Sequence, residues 1–487
     1  METQDRLSEA DARRAVRMVV LDGVCSMAMG TLQGGPFLTA FAFAIGASNY
    51  DVGLLAAIGF SSQIVQIPAL SLLQLVRRRR LLTVTCAAAA RALWVFIVLV
   101  PVLFVQAGVT FLLHWLFLSA LVAAVPAPAW NSLLRDVIPP EALGRVFARR
   151  SLLGGALGLV LTPLGGLFVD WWRQAVPGAP LYAYSLLFLL GTLVGLVGVA
   201  AIARIPEPTM AVEPGVGFAD LVLTPFRDRN FCVLLVFVAS WSFAVNMATP
   251  FFVVYMLRWI ALPLSAVTLF LVTSQVTNLI FLRVWGRLAD RYSSKAVLSA
   301  SGPLYLLAIL AWSFTTMPGR YTLTLPLLVL IHVLGGMSMA GVGLCSGTLT
   351  LKLSPPGRAH AYLTVSGLVG ATSGAVAPLV AGGLADFFAS RSLSLTVTWA
   401  EPARAVTFYA WYLKALDFVF LAAVLVGLLS IALLARVQEP GPAPERGIMV
   451  ELIDEVVLPF RTISTVEGIR RLAFFPLYAV ERLRRGD

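Results

Sequence analysis

The sequence predicts an all-α membrane protein of twelve transmembrane helices, arranged as two six-helix halves. Three observations lead there. The 487-residue chain is 59% hydrophobic and only 13% charged, with a mean hydropathy of +0.87, more apolar side chain than a soluble core can enclose. Apolar runs of roughly 20 residues recur, the length needed to cross about 30 Å of hydrocarbon, and they are apolar on every face, which selects helices over barrel strands. Finally, short patterns in the first half return in the second half in the same order.

The runs place spans at 18–46, 51–76, 81–105, 108–134, 147–170, 181–204, 231–257, 263–286, 296–316, 322–352, 359–388 and 406–435. Interior prolines such as Pro36, Pro68, Pro126 and Pro163 are compatible with them, because neighbouring helices re-satisfy the freed backbone groups. Residues 1–17 are polar, of mixed charge and without a cleavage site, so a removed signal peptide is not expected. Arginine and lysine fix the orientation. One side of the expected membrane carries Arg13, Arg14 and Arg17, Arg77 to Arg80, Arg135, Arg145, Arg149 and Arg150. It also carries Arg204, Arg227 and Arg229, Arg287, Arg291 and Lys295, Lys352 and Arg358. The other side has only Arg173, Arg258, Arg320, Arg391, Arg404 and Lys414, so both termini are expected in the cytoplasm.

The internal repeat is legible residue by residue. Pro36-Phe37 returns as Pro250-Phe251, Ser62-Gln63 as Ser274-Gln275, and Gly144-Arg145 as Gly357-Arg358, each behind an offset of 212 to 214. Pro163-Leu-Gly-Gly-Leu with Asp170 returns as Pro378-Leu-Val-Ala-Gly-Gly-Leu with Asp386. Four matches in order at nearly one offset predict a duplicated unit. The expected domains are a cytoplasmic N-terminus (1–17), a first bundle (18–204), a cytoplasmic linker (205–230), a second bundle (231–436) and an amphipathic cytoplasmic tail (437–487). The linker's Asp220-Leu-Val-Leu-Thr-Pro-Phe-Arg227 is echoed in the tail as Asp454-Glu-Val-Val-Leu-Pro-Phe-Arg461. The tail's Arg470 to Tyr478 stretch, with Arg482, Arg484 and Arg485 behind it, suits an anionic leaflet surface, with a regulatory partner as the alternative.

Several function classes fall away. The formal charge of +11 is scattered between apolar runs, so no basic domain exists to hold nucleic acid. Cys25, Cys86, Cys232 and Cys345 all lie in apolar runs, with no C-x-x-C pair among them, and read as small buried hydrophobes. The three histidines show no metal spacing and there is no Walker glycine-lysine loop, so no enzyme, metal site or cofactor is expected and ATP is not the energy source.

Gly286-Arg-Leu-Ala-Asp-Arg-Tyr-Ser-Ser-Lys295 is a charged, glycine-led turn between two apolar runs. It resembles the loop signature G-x-L-A-D-R-x-x-x-K of the major facilitator superfamily, matching at Gly286, Asp290, Arg291 and Lys295. With the twelve spans and duplicated halves, the resemblance covers roughly residues 15–436. The sister loop after span two is degenerate, with Ser71 and Leu75 where Gly and Asp belong and only Arg77 to Arg80 retained. Gly154, Gly158, Pro163, Gly165 and Gly166 resemble the glycine-proline motif of drug/proton antiporters, and Gly370, Gly374, Pro378, Gly382 and Gly383 form a similar run. Close helix packing through small residues is the alternative, and the favoured, explanation of both runs. Trp130 to Asp136, followed by Pro139 and Gly144-Arg145, is similar to a poorly characterised bacterial branch of the superfamily.

Asp22 is the foremost candidate for chemistry. A charge at the membrane centre costs about 2.5–3.5 kcal/mol on insertion scales, so such an acid faces a cavity or a partner. Proton coupling is one reading, and a structural ion pair with Arg91 in span three is the other. Asp417 with Lys414 reads as an interfacial pair. His114 and His332 are proton relays or packing histidines. Gln33, Gln63, Trp241, Asn246, Gln275 and Asn278 fall on spans that, by the resemblance, line a central cavity. They are the solute-site candidates, with hydrogen bonding between helices as the alternative. By the same resemblance Gly286, Asp290, Arg291 and Lys295 form a cytoplasmic gate. Asp290 would pair there with a neighbouring charge or helix N-terminus when that side closes.

The expected activity is secondary transport of a small solute by alternating access, coupled to protons or another ion, by a monomer in a bacterial inner membrane. Efflux of an amphipathic or drug-like compound is favoured. Uptake of a polar solute such as a sugar or organic acid, and a non-transporting scaffold, are the alternatives.

Overall fold

The computed structural model describes residues 8–66, 69, 72, 76, 78–103, 108–208, 223–316, 319–356, 358–401 and 404–439. The tail beyond residue 439, most of the linker, and Ser71, Leu75 and Arg77 of the degenerate loop lie outside them. Eleven helical stretches among the described residues are long and apolar enough to span a membrane. The first half begins with α1 (Glu9–Gln33) and α2 (Gly35–Ala44), which share one span. It continues through α3 (Asn49–Ser61), α4 (Arg79–Val98), α5 (Gly108–Ala124) and α6 (Ala127–Val137) to α7 (Pro140–Ala175) and α8 (Tyr182–Ala203). The second half comprises α9 (Arg229–Val254), α10 (Leu264–Arg291), α11 (Ser294–Ala311), α12 (Thr324–Lys352), α13 (Ala359–Phe387) and α14 (Leu416–Leu434). The second span is represented by α3, which runs into a 3₁₀ turn at Ser62–Val65.

Local chemistry explains where helices break. Between α1 and α2, Gly34 is extended and Gly35 adopts φ +52°, a left-handed conformation that disfavours a side chain, before Pro36 opens the next helix. The equivalent stretch of α9 has Ala248-Thr249 before Pro250, and that helix runs on unbroken to a π turn at Tyr255–Trp259. Pro126 separates α5 from α6 within one span. At its other end, α1 starts nine residues before the expected span, so Arg13, Arg14 and Arg17 are helical. The α7 helix likewise starts at Pro140, well before the expected residue 147.

One segment departs from the expected span pattern. Residues 406–414, read as the opening of the last span, belong to a β-hairpin of β1 (Ser392–Glu401) and β2 (Arg404–Lys414), and α14 begins only at Leu416. Alternation in Ser392-Leu-Ser-Leu-Thr-Val-Thr-Trp399 has period two, the strand period, and β2 is rich in the β-branched and aromatic residues that favour strands.

Within each half the helices pack through buried apolar side chains, while Leu164, Leu167, Leu193, Leu279, Ile280 and Leu428 stay exposed as a bundle in lipid requires. In the first half α1 packs on α7 and α8; in the second, α9 packs on α13 and α14, and α12 on α10 and α11. The halves meet through two equivalent pairs, α3 against α13 and α7 against α10.

Candidate functional site

A cavity of about 280 Å³ lies halfway along the spans, between α1, α7 and α10. Gly30, Gly34, Gly35 and Pro36 form one wall, Gly154, Gly155, Gly158, Leu159 and Thr162 a second, and Leu271, Val272 and Gln275 a third, with Met27 and Thr31 completing the lining. Small residues create this space: a Cβ on Gly30, Gly35 or Gly155 would meet no heavy atom within 4 Å. The break in the first span therefore puts bare backbone on the cavity wall. No lining side chain is charged, and the polar ones are Thr31, Thr162 and Gln275.

Toward the face where the described residues begin and end, at Ser8 and Glu439 (the face of the termini below), Asp22 is 3% exposed. Its nearest cation is Arg150, whose Nη2 lies 3.7 Å from Oδ2. Ser26 Oγ donates to Asp22 Oδ1 at 3.2 Å and accepts from Arg91 Nη2 at 3.3 Å, so Arg91 joins the cluster through the serine. Arg91 also donates to the Ala87 carbonyl of its own helix. Two arginines thus face one carboxylate. Arg150 was counted in the sequence as a loop charge, but the early start of α7 sets it ten residues into a helix. The signal for it was Gly23, beside Asp22: a Cβ there would fall 2.0 Å from Arg150 Nε. Gly198 makes room on the other side, with a Cβ position 3.1 Å from Asp22 Oδ1.

At the opposite face the halves are tied by two aspartates that the duplication relates. Asp170, near the end of α7, accepts from the backbone N–H of Leu264 at 3.2 Å and of Ser265 at 2.8 Å, the first residues of α10. Asp386, near the end of α13, accepts from Asn49 N at 3.3 Å, Asn49 Nδ2 at 2.8 Å and Tyr50 N at 3.0 Å, at the start of α3. The first N–H groups of a helix have no partner within it and carry a partial positive charge, so each carboxylate caps a helix of the other half. At α10 the position before the helix is Pro263, which has no side-chain cap to offer. At α3, Ser48 and Asp51 form a capping box that leaves the first two N–H groups to Asp386. The glycine runs permit the approach. A Cβ on Gly166 would sit 3.0 Å from Ser265 Cα, one on Gly382 would sit 2.8 Å from Asn49 O, and one on Gly53 would sit 2.2 Å from Pro378 O.

The face with the termini carries matching clasps within each half. Glu439 accepts from Ser294 N at 3.1 Å, Lys295 N at 2.7 Å and Lys352 Nζ at 2.9 Å. Burial opposes ionisation of Glu439, yet these hydrogen bonds and the Lys352 charge outweigh it and hold the carboxyl below its ordinary range. In the first half Glu207 accepts from Arg80 N at 3.1 Å, and buried Arg79 pairs with Asp136. The signal was present but unread: Ala203-Arg-Ile-Pro-Glu-Pro208 recurs as Ala435-Arg-Val-Gln-Glu-Pro440. Gly286 to Arg291, read from the sequence as a turn, are the last turns of α10: Gly286 is half-buried, Asp290 is exposed and Arg291 lies over Tyr292, while Lys295, at the start of α11, donates its Nζ to the Ala435 carbonyl.

The remaining candidates separate. Gln275 lines the cavity. Gln33 is buried, donating to Phe188 O and Thr192 Oγ1 on α8. Asn278 donates to Gly336 O on α12, and Asn246 to Ser242 O on its own helix. Trp241 is buried among Phe237 and Tyr305. His332 is buried between Phe270 and Trp312, with Nδ1 2.8 Å from Leu328 O, as a packed histidine is. Gln63 is exposed beside Gln66, and His114 is exposed with Nδ1 2.7 Å from Thr110 O. Asp417 is fully buried and accepts the Lys414 backbone N–H at 3.0 Å, while Lys414 Nζ lies over Trp259. Among the described residues no cluster of His, Cys, Asp and Glu is fit for a metal.

Two duplicated six-helix halves around a mid-membrane cavity, joined by equivalent helix pairs, define a two-halved membrane transporter. The profile of the Major Facilitator Superfamily matches residues 23–378, and the chain belongs to that superfamily. No curated protein matches the sequence. Among solved structures, a variant of the nucleoside transporter NupG is similar with a TM-score of 0.66 at 12% identity, over 87% of this chain and 100% of that one. A D-xylose-proton symporter gives 0.63 at 12% identity over 89% and 99%. A bacterial homologue of the iron transporter ferroportin, in an inward-facing state, gives 0.62 at 15% identity over 88% and 99%. These likenesses lie in the fold.

Proposed function

We propose that this protein exports a small, uncharged, amphipathic solute by alternating access, driven by proton entry. The observation that carries the alternating-access reading is the pair of related latches, Asp170 on α10 and Asp386 on α3. Each links an end of one half to the other half at the same face, and neither contact survives if the halves rock apart there. The structure is then the state closed on the face opposite the termini.

The cavity supports the solute class. A lining of glycine, leucine, valine and methionine with two hydroxyls and one amide offers an apolar solute a place and fixes its orientation through few polar contacts. A charged sugar acid or metal ion would lose its hydration there with no lining charge in return. Coupling is assigned to Asp22. The carboxylate sits between Arg150 and the Ser26–Arg91 pair, so protonation would free both arginines from it and change what holds α1, α4 and α7 together. Asp290 is assigned to the return step, taking a partner when the face with the termini closes.

The test is transport in proteoliposomes, using compounds first selected by thermal-shift screening of the purified protein. Uphill movement of a neutral amphipathic compound that follows an imposed pH gradient is the expected result. Transport of a sugar or organic acid in its place would replace the solute assignment. Removing the tail after residue 439 should leave transport intact; a scaffold would lose its role with the tail.

A further inference from the structure

Among the described residues, nothing packs on the outer part of one face of the β-hairpin between α13 and α14. On β1, Leu393, Leu395, Val397 and Trp399 all point to one side and are 56–66% exposed. On the other side stand Ser392, Ser394, Thr396 and Thr398. On β2, Leu413, Trp411 and Val406 stand opposite Leu393, Leu395 and Trp399, whereas Tyr412, Tyr409 and Thr407 stand opposite Ser394, Thr396 and Thr398, with a register shift between Leu395 and Thr396. A two-stranded hairpin is marginal in water on its own, so its apolar face needs a cover. Among the described residues the protein covers the foot of it: Leu413 is buried, and Trp411 stacks on Phe314 at 5.8 Å.

We propose that the exposed half of this face lies in the lipid interface, on the leaflet opposite the termini. The hairpin stands on two membrane spans with almost no spacer. Residue Phe387 ends α13 and Ser392 starts β1; Lys414 ends β2 and Leu416 starts α14. The lipid-facing surfaces of those helices, with Phe387 exposed on α13 and Leu425 and Leu429 on α14, therefore continue directly into the hairpin. Composition favours lipid over a protein partner. Residues 392–400 and 405–413 contain no charged residue, and aromatics stand on both faces of the hairpin, Trp399 and Trp411 on the apolar one and Tyr409 and Tyr412 on the other, the aromatic enrichment of a membrane interface. Protein interfaces are instead ringed by a polar rim. Charges fall only at the feet, Arg391 and Lys414, and at the turn, Glu401 and Arg404, where headgroups and water are within reach. Anchored this way, the hairpin ties the ends of α13 and α14 to the bilayer beside the Asp386 latch.

The test uses the full chain in nanodiscs, with the native cysteines replaced and single cysteines introduced as Leu395→Cys, Thr396→Cys, Val397→Cys or Thr398→Cys. Each is labelled with a polarity-sensitive fluorophore. Labels at 395 and 397 should emit to the blue of those at 396 and 398. They should be quenched severalfold more by lipid-borne nitroxide and severalfold less by aqueous iodide. Equal iodide quenching at all four positions would place the hairpin in water and overturn the proposal. Labels at 395 and 397 shielded from iodide yet insensitive to the nitroxide lipid would mean a protein cover, and would overturn it as well.

Discussion

Removing both latches should open the face opposite the termini. Asp170 and Asp386 each accept two or more N–H groups at a helix start of the opposite half. A hydrogen bond to an ionised group is worth about 1.5–3 kcal/mol net, and the helix-terminus charge acts in the same direction. Counting one such increment per aspartate, the pair biases the closed state by roughly 3–6 kcal/mol. At 1.4 kcal/mol per tenfold, that is on the order of 10²–10⁴ in the population ratio, near the 5.5 kcal/mol that inverts a 99:1 equilibrium. The two sites share no partner, so single variants should each show about half the free-energy effect. Spin labels at Gly178 and Gly319, glycines in loops of opposite halves where a Cβ meets nothing within 4 Å, report the opening by pulsed dipolar distance measurement. Asp170→Ala with Asp386→Ala should move the distance distribution to longer values, and each single variant should give a mixture. A double variant with the wild-type distribution would refute the latch.

Four further outcomes follow from named groups. Asp22→Asn should abolish proton-driven accumulation while counterflow persists; full gradient-driven activity in that variant sinks the coupling role. Asp290→Asn should slow turnover severalfold with solute binding unchanged, and wild-type turnover in proteoliposomes would remove it from the switching step. Gly155→Leu adds bulk to the cavity wall from a Cβ position with no heavy atom within 4 Å, so it should weaken solute binding at least tenfold with little loss of thermal stability. Glu439→Gln should destabilise the protein by about 1–3 kcal/mol at neutral pH. Because the folded state holds this carboxyl below its ordinary value of 4.5, the clasp's contribution is complete above that pH. It is lost only as pH falls through the depressed value. Melting curves of wild type and variant should therefore stay separated from pH 8 down to about 5 and converge only in stronger acid.

How much of this was legible in the sequence depended on the range of the interaction. Hydropathy and the internal repeat are properties of the chain itself, and they led to two halves and to twelve expected spans, of which eleven stand among the described residues; the superfamily needed the 286–295 signature as well. The repeat even paired Asp170 with Asp386, though as a match of letters. What each aspartate touches lies 94 and 336 or 337 residues away, and no local pattern reports that. The same limit applied to the cavity. Of the polar residues chosen from their spans, Gln275 faces it, while Gln33 and Asn278 spend their hydrogen bonds on neighbouring helices. An amide at a given depth looks alike in both settings, and only the rotation of its helix separates them. The glycines were read as packing or antiporter motif, and the structure gives the run in α7 two tasks. Gly154, Gly155 and Gly158 open the cavity, and Gly166 lets α10 close against α7.

Asp22 shows the division most plainly. Its chemistry was set by sequence, since a carboxylate in an apolar run must find a partner. The partner was set by the fold: Arg150 reaches it because Gly23 leaves a path, and Arg91 reaches it through Ser26. The sequence by itself determined that the chain crosses the membrane, that it does so as two copies of one unit, and which residues are costly to bury. Tertiary structure alone decided which of them meet, because the contacts of Asp22, Asp170 and Asp386 and the lining of the cavity join helices whose separation along the chain has no bearing on their separation in space.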